Sequence, residues 1–401
     1  MARDIIIIPI MSSSSIFTLC LSTFDHILVT CLPVLIYLSY LCVKLLYTPV
    51  NINFKLLFHV LGISLSTFFL PCVFTPGFSL IINLCLGIYL IKKIPMLWLP
   101  ADGKAVLITG CDQGIGHELA KKLDSLGFQV FAGCLFKDGA GEKELVDSCS
   151  SRLQTVQLDV RDTAQIDLAV KEVTSALGNN KLWGIVNNAG ICYIGNVEMM
   201  TVEDMQKIMA VNYFGPVNIC KAFLPLLRRS KGRLVNIASN AGLAPIPLMG
   251  VYCASKAALA SMTEVWRYEL QAWGIKVSMI IPSGYKTGIL NYDKVQTAER
   301  WWTAANDTVK RDYGKECFYV KFKMPDHESV LNSDLTSILD AMVDALLSHD
   351  PQPWYYRGLL SRCLPFLYLH LPTFIGDQII KLMADWFDFM PQALIRDSKT
   401  A

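Results

Sequence analysis

Charge is scarce in this chain. Only 17% of its 401 residues are Asp, Glu, Lys or Arg, and 36 basic residues nearly cancel 34 acidic ones, for a net charge of +2. A soluble domain usually carries about 25% charged residues. No run of Lys and Arg resembles a nucleic-acid arm, so a nucleic-acid partner is not expected. There are only 6 histidines, and no cluster of His with acidic residues supplies metal ligands, so no metal is expected. The 13 cysteines form no C-x-x-C pair. A zinc or disulfide framework needs paired spacing. Several cysteines lie in apolar segments, where a free thiol behaves as a small hydrophobe. They read as reduced structural thiols.

Apolar sequence takes the place of charge, with hydrophobic residues making up 53% of the chain. The excess sits at the N-terminus. Ile27 to Tyr47 is almost wholly apolar, with Lys44 its only charge. Such a stretch can cross a bilayer core of about 30 Å. A second run covers Leu56 to Phe74 and a shorter third covers Phe78 to Ile91, with Pro71, Pro76 and Gly77 between them. A signal peptide is too short to account for so much sequence. Residues 1–99 are therefore expected to be a membrane anchor with two or three spans. Lys92 and Lys93 favour a cytoplasmic face for the region C-terminal to them, though Lys44 and Lys55 at other span ends blur that signal. Asn306 heads an N-x-T triplet, which matters only if that part of the chain faces a secretory lumen.

The pattern changes after Pro100. Short apolar runs alternate with amphipathic stretches. Strands are predicted at 105–109, 129–135, 155–158, 182–186, 232–237 and 276–281, with a helix from His117 to Leu126. Strand–helix alternation builds an α/β fold with a doubly wound parallel sheet. The first strand runs into Gly110-Cys111-Asp112-Gln113-Gly114-Ile115-Gly116. Gly110 permits a tight turn, and Gly114 and Gly116 let the backbone approach a pyrophosphate at a helix N-terminus. Glycines also make ordinary turns, so the strand–turn–helix setting is what gives the cluster weight.

Further motifs succeed it in order. Asn187-Asn188-Ala189-Gly190 comes after the fourth strand, Asn212 lies within V-N-Y-F-G, Ser239 is just past the fifth strand, and Tyr252-Cys253-Ala254-Ser255-Lys256 comes thirteen residues after that serine. Y-x-x-x-K alone means little, since it also occurs at Tyr40–Lys44 and Tyr319–Lys323. Only Tyr252–Lys256 has a serine upstream and a helix-compatible run. The G-x-x-x-G-x-G spacing and these motifs resemble the short-chain dehydrogenase/reductase family over residues 100–290.

The resemblance implies a Rossmann-like fold and an enzyme oxidising CH–OH groups with a nicotinamide cofactor. Tyr252 and Lys256 are four apart and share a helix face. An unperturbed tyrosine titrates near 10. The Lys256 ammonium is expected to lower that value, letting Tyr252 take the hydroxyl proton. Ser239 would hold the substrate oxygen. Lys256 would also bond the nicotinamide ribose, and Asn212 would hold a water linking Lys256 to solvent. The cofactor is expected against Gly110, Asp112, Gly114, Ile115, Gly116, Asp159, Asn188, Ala189, Gly190, Tyr252, Lys256, Pro282 and Thr287. The motif after the sixth strand departs from the family's Pro-Gly, reading Pro282-Ser283-Gly284.

Asp112 in the glycine loop should repel a 2′-phosphate and favour NAD, whereas Lys137 would attract the phosphate. Leu123–Phe128, Leu182-Trp183-Gly184 and Ser230–Val235 are similar to the branch of membrane-bound, NAD-dependent hydroxysteroid dehydrogenases. That likeness implies oxidation of a steroid alcohol, the 17β-hydroxyl of estradiol or testosterone, with 11β-hydroxysteroid or retinol oxidation as alternatives. A catalytically silent membrane scaffold is a third reading, opposed by the intact Ser239, Tyr252 and Lys256. The implied location is the endoplasmic reticulum membrane, and a homodimer is compatible with the sequence. Residues 291–401 are expected to form a substrate lid and an apolar C-terminal extension. In it, Trp301, Trp302 and Phe318 could line an apolar pocket or pack on the domain's own surface. Leu359 to Phe374, broken by Pro365 and Pro372, could cap the pocket or dip into a membrane interface, and its prolines make it a poor spanning helix.

Overall fold

The computed structural model describes residues 98–315 and 331–386. The expected N-terminal spans, Phe318, and the Y-x-x-x-K matches at Tyr40 and Tyr319 lie outside these residues. The described residues fall into two units. One holds Pro100–Leu347 and the residues from Pro351 on, and the other holds Trp98 and Leu99 with Ser348–Asp350. In the second unit Trp98 and Ser348 form an antiparallel bridge. The first unit carries the site.

Its strands are β1 (Lys104–Thr109), β2 (Gln129–Cys134), β3 (Leu153–Gln157), β4 (Lys181–Asn187), β5 (Arg233–Ile237), β6 (Lys276–Pro282) and β7 (Trp354–Arg357). They form one seven-stranded parallel sheet in the order β3-β2-β1-β4-β5-β6-β7. Six strands match the sequence expectation to within two residues. The seventh, Trp-Tyr-Tyr-Arg, has no counterpart in that expectation, being four residues long and flanked by prolines and a glycine.

The helices are α1 (Gly114–Ser125), α2 (Ala140–Ser148), α3 (Thr163–Ala176), α4 (Val202–Met209), α5 (Gly215–Ser230), α6 (Gly250–Glu269), α7 (Lys294–Ala304), α8 (Asp307–Tyr313), α9 (Thr336–Leu347), α10 (Leu360–His370) and α11 (Thr373–Trp386). A π-helical turn, Ala210–Phe214, joins α4 to α5. Helices cover both faces of the sheet, so its inner strands are buried on both sides and read as unbroken apolar runs. On one face Val106 and Ile108 pack with Leu119, Leu123, Met342 and Leu346. On the other, Leu107 and Phe131 pack with Ile219, Phe223 and Leu227. Each such side chain contributes about 1.5–3 kcal/mol on burial.

Strand order reverses between β1 and β4. That reversal opens a crevice at the carboxyl ends of the strands, where doubly wound sheets take their ligands. No helix among the described residues is long and apolar enough to cross a membrane.

Candidate active site

The glycine loop occupies that crevice. Gly110 and Gly114 have φ of +71° and +68°, a region side chains disfavour. A β-carbon on Gly110 would lie 2.8 Å from Ala189 Cα, and one on Gly114 would lie 2.5 Å from the Thr287 carbonyl oxygen. A β-carbon on Gly116 would collide with Asn188 Nδ2 and the Gly110 carbonyl. Asn188 fixes this packing by donating from Nδ2 to the Thr109 and Gly110 carbonyls at 2.9 and 3.0 Å. Thr109 Oγ1 accepts the backbone N–H groups of Asn188 and Ala189, both at 3.1 Å. The N-x-A-G segment is thus the floor that holds the loop.

Helix α1 begins at the loop with no side-chain cap and no acid in its first turn. By contrast α3, α4, α7 and α8 are capped by Asp162, Thr201, Asp293 and Asn306. The first N–H groups of α1 are therefore left to accept an anion from outside the chain. Bare glycines, an uncapped helix and a cavity beside them fit a dinucleotide pyrophosphate.

The cavity has a volume of about 830 Å³. Its nucleotide end is lined by Gly110, Asp112, Ile115, Asp159, Asn188, Ala189, Gly190, Pro282 and Thr287, as well as Phe136 and Arg161. Both Asp112 carboxylate oxygens are engaged, accepting the backbone N–H of Leu135 at 2.9 Å and of Phe136 at 3.0 Å. Asp112, from the glycine loop, thus lies against the end of β2. Asp159 is likewise not free. Arg161 grips it through Nε at 3.0 and 3.1 Å and through Nη2 at 2.6 Å, which holds its carboxyl below the usual range.

Lys137, expected as the rival determinant, is exposed and is not among the residues lining the cavity, whereas Arg161 is. Sequence reasoning missed Arg161 and Phe136. The signal for Arg161 was its position two residues after Asp159 in the same strand-end loop.

Ser239, Tyr252 and Lys256 all line this cavity. Ser239 lies beyond the end of β5, where its Oγ accepts the Ala241 N–H at 3.2 Å and donates to Asn240 Oδ1 at 3.3 Å. Tyr252 and Lys256 lie on the buried stripe of α6 with Ser255 and Leu259, as four-residue spacing predicts. The Ser239 hydroxyl lies close enough to the phenol to favour its ionised form.

The expected lowering of Tyr252 is overturned. Burial pushes its phenol well above the ordinary value, Cys192 beside it pushes the same way, and the Ser239 hydroxyl only partly opposes them. Lys256 does not offset this. Its ammonium donates to the Ile237 carbonyl at 2.8 Å, 5.8 Å from the Tyr252 ring centre. Burial brings Lys256 itself down to about 8.

Asn212 sits in the π-helical turn, fully buried. Its Oδ1 accepts the Ile191 N–H at 2.9 Å, and its Nδ2 donates to the Ile191 carbonyl at 2.9 Å and to Ser255 Oγ at 3.0 Å. Ser255 Oγ in turn donates to the Tyr252 carbonyl at 2.7 Å. Asn212 thereby ties the segment after Gly190 to the catalytic helix. A β-carbon on Gly190 would sit 3.5 Å from Asn212 Oδ1 and 3.6 Å from Lys256 Nζ, so the three are immediate neighbours.

The cavity wall also includes the apolar side chains of Cys192, Ile194, Ile246, Met249, Ile289, Leu290, Leu331, Leu360, Leu364 and Met383. Trp301 and Trp302 are not in its wall. Trp301 is fully buried beside Tyr193 and Ile208, and its Nε1 donates to Asp204 Oδ2 at 2.7 Å. That anchor turns the inner face of α7 into core. Of the 359–374 segment, which could cap the pocket or dip into a membrane interface, Leu360 and Leu364 line the cavity. Pro365 lies inside α10 without ending it.

Residues 104–297 match the family described as short chain dehydrogenase. Over 308 residues the chain is 40% identical to estradiol 17-beta-dehydrogenase 2 of Mus musculus, covering 75% of this chain and 79% of that protein. Over 288 residues it is 40% identical to the mitochondrial D-beta-hydroxybutyrate dehydrogenase of Rattus norvegicus, covering 70% and 84%. A short-chain dehydrogenase of Burkholderia phymatum, solved in complex with NAD, superposes with a TM-score of 0.52 at 26% identity, over 62% of this chain and 86% of that one.

Proposed function

The chain belongs to the short-chain dehydrogenase family and is an oxidoreductase acting on hydroxyl groups; on that footing, we propose that it oxidises the alcohol of a steroid to the ketone with NAD. The 17β-hydroxyl of estradiol or testosterone is the first candidate, with 11β-hydroxysteroids and retinol as alternatives. The observation that carries this reading is the shape of one cavity. Its wall joins the glycine floor, which would take a dinucleotide, to a set of aliphatic side chains, and Ser239 and Tyr252 line the same cavity. A rigid apolar alcohol fits such a wall with little unpaired polarity. Asp112, placed against the end of β2, supports NAD over NADP.

Each group in the cavity has its own task. Gly110, Ile115, Ala189, Pro282 and Thr287 would hold the cofactor, which supplies the hydride acceptor. Ser239 and Tyr252 together fix where the substrate oxygen sits. Oxidation needs Tyr252 as phenolate when it takes the substrate proton, and burial opposes this. Two groups favour the phenolate: the Ser239 hydroxyl and, while protonated, Lys256. Lys256 would also reach the cofactor ribose, and Asn212 would hold a proton-carrying water beside it. Residues 1–99 anchor the enzyme in a membrane, that of the endoplasmic reticulum.

The test is a panel of steroid and retinoid alcohols assayed with full-length protein in membranes, using NAD and NADP separately. Ketone formation from a 17β-hydroxysteroid with NAD is the expected result. Turnover confined to small hydroxy acids would overturn the steroid reading.

A further inference from the structure

Asn240 is a polar side chain in the cavity wall that neither cofactor binding nor proton transfer uses. It follows Ser239 and opens the short helical turn Asn240–Gly242. It is only 6% exposed, yet it lines the cavity. Its carbonyl is spent on the turn, accepting the N–H groups of Leu243 and Ala244 at 3.0 and 2.9 Å. Its Oδ1 accepts the Ser239 hydroxyl at 3.3 Å. The turn is held firmly in place. A β-carbon on Gly242 would lie 2.7 Å from the Lys256 carbonyl carbon, so the turn sits directly on α6, and α10 packs against it too.

The amide nitrogen is the group left over. Among the described residues Nδ2 has no hydrogen-bond partner, and it is not sealed away from open space. Buried polar groups are almost always paired. For a side chain so enclosed on a cavity wall, the open side is the cavity. Nδ2 carries two N–H groups and accepts nothing, so an oxygen acceptor is what completes it there. An amide oxygen and nitrogen lie roughly 2.2 Å apart, so Nδ2 is at most about 5.5 Å from Ser239 Oγ. Two oxygens on adjoining carbons of one substrate can span that interval.

We propose that Asn240 determines specificity by donating from Nδ2 to a carbonyl oxygen on the carbon next to the reacting carbinol. The preferred substrate is then a hydroxy ketone rather than a plain alcohol. A site with an enclosed donor rejects an analogue that leaves it unpaired. This assignment rests on the alcohol-oxidation reading and narrows it, whatever carbon frame carries the two oxygens.

Matched pairs test it, with full-length protein in membranes and NAD. Estradiol is compared with its 16-oxo derivative, and cyclohexanol with 2-hydroxycyclohexanone. Equilibrium dialysis gives the dissociation constants of the steroid pair, and kcat/KM is measured for both pairs. A neighbouring carbonyl alters hydride transfer by itself, so each kcat/KM ratio is read as wild type against variant. The 16-oxo steroid should bind at least tenfold tighter than estradiol. Asn240→Leu removes the amide at similar volume. Asn240→Asp keeps the acceptor for Ser239 and loses the donor. Each should cut the binding advantage below threefold and move the kcat/KM ratio at least fivefold toward the plain alcohol. An NAD titration checks that the variants fold. Equal binding of the two steroids to wild type overturns the proposal, as does an advantage that survives in Asn240→Leu. Tighter binding of a 16-hydroxyl but not of the 16-ketone also overturns it, since Asn240 would then be offering its oxygen. If neither steroid binds, the cyclic pair decides. A shift in its ratio keeps the role of Asn240 and sinks the steroid reading alone, and no shift sinks both.

Discussion

Lys256 on α6 donates its ammonium to the carbonyl of Ile237, the last residue of β5, at 2.8 Å. Ile237 lies two positions before Ser239. One side chain therefore sets the distance between the strand that carries Ser239 and the helix that carries Tyr252. Lys256 is a positional link between the two catalytic groups as well as a source of charge.

Stability should record the burial of that ammonium. Lys256 titrates at about 8 when folded, against 10.5 for an unburied lysine. Between these values the unfolded chain holds a proton that the folded chain has released, so this residue's contribution rises with pH across that window. Below about 8 both states are protonated and the burial penalty is present in full. In Lys256→Met, stability should climb less between those pH values than in wild type. Urea unfolding at pH 7, 8, 9 and 10 measures it, and parallel curves for the two proteins would show that burial does not drive Lys256 neutral.

Tyr252→Phe removes the ionisable oxygen but leaves the ring on the buried stripe of α6. Turnover should fall by 10²-fold or more, as is typical of acid–base groups, with NAD affinity nearly unchanged. Single-turnover kinetics and a separate NAD titration check both halves. A variant keeping a tenth of the wild-type rate would remove Tyr252 from proton transfer.

Asp112 and Arg161 bring opposite charges to the cavity wall, and cofactor choice should turn on them. Asp112→Asn keeps the shape of the contact with Leu135 and Phe136 while removing a negative charge. The NAD-over-NADP ratio in kcat/KM should narrow by about tenfold, or roughly 1.4 kcal/mol. Arg161→Ala should move the ratio the other way, and Lys137→Ala should leave it alone. A wild-type preference for NADP that Arg161→Ala abolishes would reverse the cofactor assignment.

Gly116→Ala places a methyl group against Asn188 Nδ2 and the Gly110 carbonyl, neither of which has room to retreat. Overpacking of this kind costs about 1–3 kcal/mol. The melting temperature should fall by several degrees and NAD binding should weaken, measured by calorimetry and by titration. Unchanged NAD affinity would mean that the loop does not shape the cofactor site.

Much of this was legible in the sequence because it rests on local rules. Fully buried parallel strands announce themselves as apolar runs, the left-handed turn at Gly110 needs a glycine, and four-residue spacing puts Tyr252 and Lys256 on one helix face. Other features depend on residues far apart in the chain. Strand β7 is too short to show a period and forms only because β6 offers it an edge. The partners of Asp112 lie 23 and 24 residues away. Trp301 was as good a pocket residue as a core residue until Asp204, 97 positions earlier, was seen to hold its indole. The upward shift of Tyr252 comes from burial, and burial is a property of the assembled cavity.

Strand β7 also bears on what happens to incomplete chains. Among the described residues it is the last strand to be synthesised and lies at the edge of the sheet, where the Pro353 and Arg357 carbonyls accept the N–H groups of Met279 and Ser283 at 2.7 and 2.9 Å. A chain that stops short of Trp354 leaves β6 as a bare edge bearing Met279, Ile280 and Ile281, all fully buried in the complete protein. Such an edge is a template for other chains. Premature termination near Asp350 would therefore show first as aggregation, before any loss of the residues that do the chemistry, since all of them have been made by then.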